Sequence, residues 1–258
     1  ASGLGVLARG PIRCVARVGP HGPAYQLGHA HADLLSFDLS HGATRIVTDT
    51  GTAAYAAGPV RAHLRATAAH NTVQLGGAEL LEAWSSFRSG RRGAALALGS
   101  GAAGRFAWLA ARHDGYAWLP GRPLPHRLWL LAADELWVVD AVLGGGRQRI
   151  ASRLHLHPDA PPGAFTVAPL AGAVRREVAP LHEHFGATRD MTRLVVELEA
   201  PLPWVGGWWL RFGSPRPSVI SLAYDGAVVR LRDETLGLAV EWRPDASGDA
   251  TVAVADAR

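Results

Sequence analysis

Short apolar runs, most with every second position apolar, recur along this chain and are cut by Gly, Pro, Asp or Ser. They are PIRCVARV (11–18), LLSFDL (34–39), TRIVTDT (44–50), NTVQL (71–75), GAALAL (93–98) and HRLWLLA (126–132). ELWVVDAVL (135–143), RIASRLHLH (149–157), TRLVVELEA (192–200), AVVRLRD (227–233), LGLAVEW (236–242) and ATVAVA (250–255) follow. A period of two with such punctuation predicts strands, and AADE between two of the runs predicts a tight hairpin turn. Only GPVRAHLRATAAH (58–70) has helical character, enough for one turn or so. About a dozen short strands without alternating helices predict an all-β fold, a large antiparallel β-sandwich. One domain over residues 1–258 is expected, with HPDAPPG (157–163) the best place for an internal seam.

One run breaks the pattern. In GHAHADLLSFDL (28–39), His29, His31 and Asp33 alternate with small residues before Leu35, Phe37 and Leu39 continue the same parity. On a strand these side chains share a face, so the segment reads as a strand running from a polar mouth into a core, with Ser36, Asp38 and Ser40 on the solvated side. SHGA (40–43) then turns the chain into TRIVTDT, and the hairpin register returns Asp49 to the neighbourhood of His31. AHNTV (69–73) sets His70 at the entrance of a third strand. His31, Asp49 and His70 thus form a plausible three-ligand set for zinc with a fourth position open. Asp33 or a backbone carbonyl would hold the second nitrogen of a ligating ring.

Composition narrows the classes. Hydrophobic residues make up 48% and charged residues 19% of 258, a globular balance. No apolar stretch approaches the roughly 18 residues of a membrane span. The 26 basic residues are all arginine and scattered, which excludes a nucleic-acid stripe; the all-arginine usage itself fits codon bias. Cys14, the single cysteine, excludes an internal disulfide and a cysteine-rich zinc cluster.

GHAHADLLSFDLSHGATRIVTDTGTAAY (28–55) and RATAAHNTVQLGG (65–77) resemble the signature of the heparinase II/III family of polysaccharide lyases. The resemblance is strongest over residues 25–92, and HRLWLLAADELWVVDAVLG and RLHLHPD fit it more loosely. It implies the family's C-terminal β-sandwich without its N-terminal helical toroid, and β-elimination on uronate-containing polymers such as heparin, heparan sulfate or alginate. It also implies that His31, Asp49 and His70 bind one Zn2+, more structural than chemical, while His29 faces the substrate. Asn71 would orient backbone, Tyr55 would line the cleft, and Arg65 and Arg88 would contact carboxylate or sulfate. Glu82 and Trp84 would pack. The base and acid would come from a tyrosine on the toroid, so the expected partners are an acidic polysaccharide and a toroid in the same polypeptide. The expected compartment is the periplasm or cell envelope of a bacterium. The abrupt entry at VLARGPIRCVARV favours a fragment, inactive as a lyase by itself.

Two rivals come from other classes. His31, Asp33 and a distal histidine match the two-histidine, one-carboxylate set of non-haem iron oxygenases, though that leaves His29 and Asp49 without roles. A non-catalytic sugar-binding sandwich could use exposed members of the nine tryptophans, but core packing is the expectation for Trp204, Trp208 and Trp209.

Overall fold

A computed structural model describes residues 2–23, 25–213, 218–244 and 251–256. The chain runs through β1 (Leu4–Arg9), β2 (Ile12–Arg17), β3 (Phe37–His41) and β4 (Thr44–Val47) into helix α1 (Pro59–Arg65), a 3-10 turn at Thr67–Ala69, and β5 (Val73–Leu75). There follow β6 (Leu81–Ala83), β7 (Ser89–Arg92), β8 (Ala95–Ala103), β9 (Phe106–His113), β10 (Leu124–Leu131), β11 (Glu135–Leu143) and β12 (Arg147–Leu156). The remainder is β13 (Phe165–Pro169), β14 (Val174–Leu181), β15 (Arg189–Pro201), β16 (Trp204–Phe212), β17 (Ile220–Tyr224), β18 (Val229–Asp233), β19 (Leu238–Arg243) and β20 (Thr251–Asp256). The fold is all-β, as the pattern predicts, and 157–163 is the crossover from β12 in one sheet to β13 in the next. Ala250, first residue of the ATVAVA run, lies outside the described residues.

The sandwich has three layers. An eight-stranded sheet in the order β1-β2-β3-β4-β12-β15-β14, with β5 on β12, faces a six-stranded sheet ordered β13-β16-β11-β10-β9-β8. A four-stranded sheet, β17 to β20, covers the other side of the second. Phe37, Leu39 and Val47 pack against Trp129, Val138 and Trp208 in one core, while Leu128, Leu130, Trp137 and Trp209 meet Val229, Leu231, Val240 and Trp242 in the other. Adjacent residues of β10 therefore belong to different cores, which is why HRLWLL is nearly continuous in apolar character. Trp204, Trp208 and Trp209 are buried, the last stacked on Trp137 at 5.2 Å.

Among the described residues twenty strands replace the expected dozen. Among the unforeseen ones, β7 is mostly exposed and β14 is exposed over half its length, while β16, though buried and apolar, carries Gly206 and Gly207 within WVGGWWLRF, which reads as a break. The third layer escapes notice because a chain's apolar runs do not reveal which face of a doubly buried sheet each one covers.

The larger correction concerns 28–36. This segment is a loop, and the strand starts only at Phe37. Leu35 sits at φ 58°, incompatible with a strand, and Ser36, assigned to the solvated side, is buried. Asp38 is exposed as expected. The β3–β4 hairpin does form, with Leu39 opposite Val47 and His41 opposite Thr44.

Candidate functional site

A loop without ladder partners must satisfy its carbonyls some other way. Here side chains do it one by one. Arg65 Nη2 reaches Leu27 O at 3.5 Å, Arg61 Nη2 donates to Gly28 O at 3.1 Å, and Arg65 Nε donates to Ala30 O at 2.9 Å. His21 Nδ1–H donates to His31 O at 2.7 Å, Thr72 Oγ1 to Leu34 O at 2.7 Å, and Arg127 Nη1 to Leu35 O at 2.7 Å. Two of the donors, Arg61 and Arg65, lie on the buried face of α1, whose Pro59 at the first turn helps to start it.

Suspended this way, His29 is exposed. Its ring meets Tyr55 edge-on at 5.3 Å and Phe87 at 6.2 Å, and Tyr55 also packs on Phe185 at 5.3 Å. His31 turns inward, where Arg61 Nη1–H donates to its Nε2 at 3.2 Å. The His31 and His70 rings lie 5.4 Å apart, and the Asp49 Oδ2 accepts from His70 Nδ1 at 2.6 Å. His31, Asp49 and His70 thus come together from the loop, the end of β4 and the approach to β5.

Charge is unevenly shared among them. Burial, helped by neighbouring His70, lowers His31 to about 4 and keeps it neutral at pH 7. Burial raises Asp49, but the attraction and hydrogen bond of His70 outweigh it and bring the carboxyl down to about 2. Burial likewise opposes charge on His70, and Asp49 reverses that, moving it upward. A neutral imidazole, an ionised carboxylate and a second imidazole are donor types that zinc accepts. His70 Nε2 is buried without a hydrogen-bond partner among the described residues. In the arrangement seen, Asp49 and His70 satisfy each other, and no group of three or more His, Cys, Asp or Glu side chains among the described residues stands in position to hold an ion. The chemistry of the donor set fits zinc; a ligand cluster is not preformed.

Asp33 does not hold a ligating ring. It pairs with Arg17 Nε at 3.2 Å and lies 3.7 Å from His21 Nδ1. That engagement also leaves the His31–Asp33 iron set of the oxygenase reading unassembled. Arg65 is displaced from its expected role too. It is 1% exposed, and all five N–H groups are engaged, with Ser85 O, Ser86 O and Ser89 Oγ completing the set, so it organises backbone and has no donor left for a substrate. Arg88 is exposed and lies over Trp84 at 5.5 Å. Trp84 is 61% exposed and so is not packing, while exposed Glu82 accepts from Arg91 N at 2.9 Å.

Asn71 spends three of its side-chain hydrogen bonds on backbone and a fourth on the His155 ring, whose Nδ1–H donates to Oδ1 at 2.9 Å. Nδ2 donates to Phe37 O and Thr48 O, both at 2.9 Å, and Oδ1 accepts from His155 N at 2.7 Å, tying β3, the end of β4 and β12 together beside His70.

A family model described as Heparinase II/III-like, C-terminal, matches residues 1–251. The chain belongs to that family. This heparinase II/III-like chain is similar in fold to a crystal structure of heparinase III, with a TM-score of 0.70 and 14% identity, over 99% of this chain and 42% of that one. It is also similar to heparan sulfate lyase HepC from Pedobacter heparinus, with a TM-score of 0.67 and 13% identity, over 98% of this chain and 41% of that one. The chain thus spans about two-fifths of the length of these structures. By sequence alone, no curated protein matches it.

Two residues of this heparinase II/III-like site escape the sequence pattern. Arg61 bridges His31 and Gly28 from α1. Arg127, in the middle sheet, forms a bidentate pair with Asp140 at 2.6 and 2.9 Å, and its Nη1 donates to both Leu35 O and Asn71 O. An arginine inside an apolar strand run is the one visible clue, because a buried guanidinium demands a carboxylate and further acceptors.

Proposed function

We propose that this heparinase II/III-like domain is the C-terminal part of a polysaccharide lyase that cleaves uronate-containing polysaccharide by β-elimination. In that reaction a base removes the C5 proton, the electron pair delocalises into the adjacent carboxylate, and the C4–O bond breaks to leave a C4–C5 double bond. The step demands positive or hydrogen-bond-donating groups beside the carboxylate, a base at C5 and an acid at the leaving oxygen. His29 is the group offered to the carboxylate, and a tyrosine on a helical toroid of the same polypeptide supplies base and acid. The observation that carries the reading is the contrast within one loop: His29 is exposed among aromatic rings, while its neighbours are tethered to buried donors.

His31, Asp49 and His70 would hold zinc, whose contribution when bound is to lock three separate segments and so fix the loop that presents His29. Arg88, exposed at the rim, and Tyr55, against His29, would contact the sugar. The periplasm or cell envelope of a bacterium is the compartment this reading implies.

The test is ultraviolet absorbance of the unsaturated product. The full-length protein is offered heparan sulfate, heparin and alginate in turn, and one of them should give a rising signal that His29→Ala lowers by at least about a hundredfold, the scale of a lost charge-stabilising donor. No signal on any uronate polymer, or an unimpaired His29→Ala protein, overturns the reading.

A further inference from the structure

Beside the His29 site is a second opening. Between α1 and the β6–β7 hairpin lies a cavity of about 270 Å3, lined among others by Arg61, Arg65, Glu79, Leu81, Trp84 and Ser86. That is just below the roughly 300–1,000 Å3 of drug-sized pockets and suits one sugar unit.

Its polar groups are not equivalent. Arg65 has no free N–H, and both carboxylate oxygens of Glu79 accept bonds, Oε2 from Thr67 and Oε1 from Gln74. Arg61 is different. It is 2% exposed, commits Nη1 to His31 and Nη2 to Gly28, and its Nε–H finds no partner among the described residues. Ser86 Oγ is buried without a partner as well. A buried cationic donor left unpaired is costly, and an anionic acceptor placed against it restores the loss with a charge-assisted bond.

The opposite wall is aromatic. Trp84 exposes 61% of its surface, unlike Trp129, Trp137, Trp208 and Trp242, which are essentially fully buried. An indole left in water at the edge of a cavity presents a flat apolar face with a polar N–H, the surface on which a pyranose ring lies. Arg88, over that indole at 5.5 Å, brings a second guanidinium to the rim.

The geometry points to an anionic saccharide subsite: one hexose ring against Trp84, with its carboxylate or sulfate directed to Arg61 and Arg88. Arg61 also joins this subsite to the His29 site, since the same guanidinium touches His31 and lies 5.3 Å from the Tyr55 ring that packs on His29. The subsite rests on the lyase reading for the identity of the polymer, and on the cavity alone for its charge and ring preference.

The two are separated by measuring binding apart from turnover. Full-length protein carrying His29→Ala is titrated calorimetrically with a heparan sulfate tetrasaccharide, its desulfated form, and neutral cellotetraose. Adding Trp84→Ala should weaken the charged ligands about tenfold, Trp84→Phe should recover most of that, and Ala62→Trp, which fills the cavity from α1, should weaken them at least as much. Weaker binding of the desulfated form assigns the anion as sulfate, and equal binding assigns it as carboxylate; either supports the subsite. Unchanged affinity in both Trp84→Ala and Ala62→Trp, or cellotetraose binding as tightly as the charged ligands, overturns it. Absence of unsaturated product from the full-length protein with His29 intact would instead overturn the lyase reading and leave these affinities interpretable.

Discussion

Arg127 is the residue whose removal should be felt furthest. Its side chain is 1% exposed and that of Asp140 3%, so the pair is out of water, and the same guanidinium supplies a hydrogen bond to Leu35 O at 2.7 Å and to Asn71 O at 2.6 Å. Asp140→Leu leaves a buried cation with two carbonyl partners, a loss of about 3–5 kcal/mol. Arg127→Met leaves a buried carboxylate at similar cost and also strips two carbonyls of their donor, adding about 1–3 kcal/mol each. Against a total stability of about 5–15 kcal/mol, Arg127→Met should therefore sit near the limit of folding, and Asp140→Leu should lose roughly 10 °C in melting temperature. The double variant removes both charges but not the orphaned carbonyls, so it should be no worse than Arg127→Met and more stable than the sum of the two losses implies. Urea unfolding of the four proteins measures all three quantities. Equal losses from the two single variants would show that the carbonyl bonds contribute nothing, and strict additivity would show that the pair does not act as a unit.

Other outcomes follow from the same structure. His113, buried and accepting a bond from Gly115 N at 3.1 Å, is lowered by burial to about 3 from an ordinary 6.5. Its folded form resists a proton that the unfolded chain takes up, so its contribution is complete above about pH 6.5 and declines as pH falls, by about 2 kcal/mol between pH 7 and 5; urea titrations should show that slope, and His113→Gln should flatten it. Asn71→Ala should cost about 2–4 kcal/mol, because four hydrogen bonds to three strands are lost, whereas Ala57→Ser at an exposed position should change the unfolding midpoint little. Metal analysis should find about one zinc per chain, removed with a fall in melting temperature by a chelator and by His70→Ala but retained in His29→Ala; a metal-free protein with unchanged stability would contradict that assignment.

The strand pattern is legible because period-two alternation survives wherever one face of a sheet meets a core, and the β3–β4 hairpin is legible because SHGA can only turn. His29, His31 and Asp33 misled through the same rule. Their alternation is that of a strand, yet Leu35 at positive φ and the carbonyl contacts of Arg61, Arg65 and Arg127 make the segment a loop. His70, the partner of Asp49 at 2.6 Å, lies outside the β3–β4 hairpin, whose register places Asp49 only in the neighbourhood of His31; that much could be read, since it depends only on local spacing. The partners of Arg61 and Arg127 could not, because each is brought to the loop by tertiary packing between elements whose relative placement no local pattern encodes. Arg65 shows the reverse error: an arginine near a site suggests an anion, whereas burial devotes it to backbone.

The loop that carries His29 and His31 owns almost none of the forces that shape it. Its tethers are anchored in a strand end, a short helix, the approach to β5 and the innermost sheet, so it acquires its shape only once all of these have docked. A version of the protein with intact strands and imperfect docking would keep its β-sheet spectrum while its imidazoles wandered. Presentation of His29 is in this sense a report on the completeness of folding, and lesions deep in the middle layer should be felt at the rim before the sheets themselves give way.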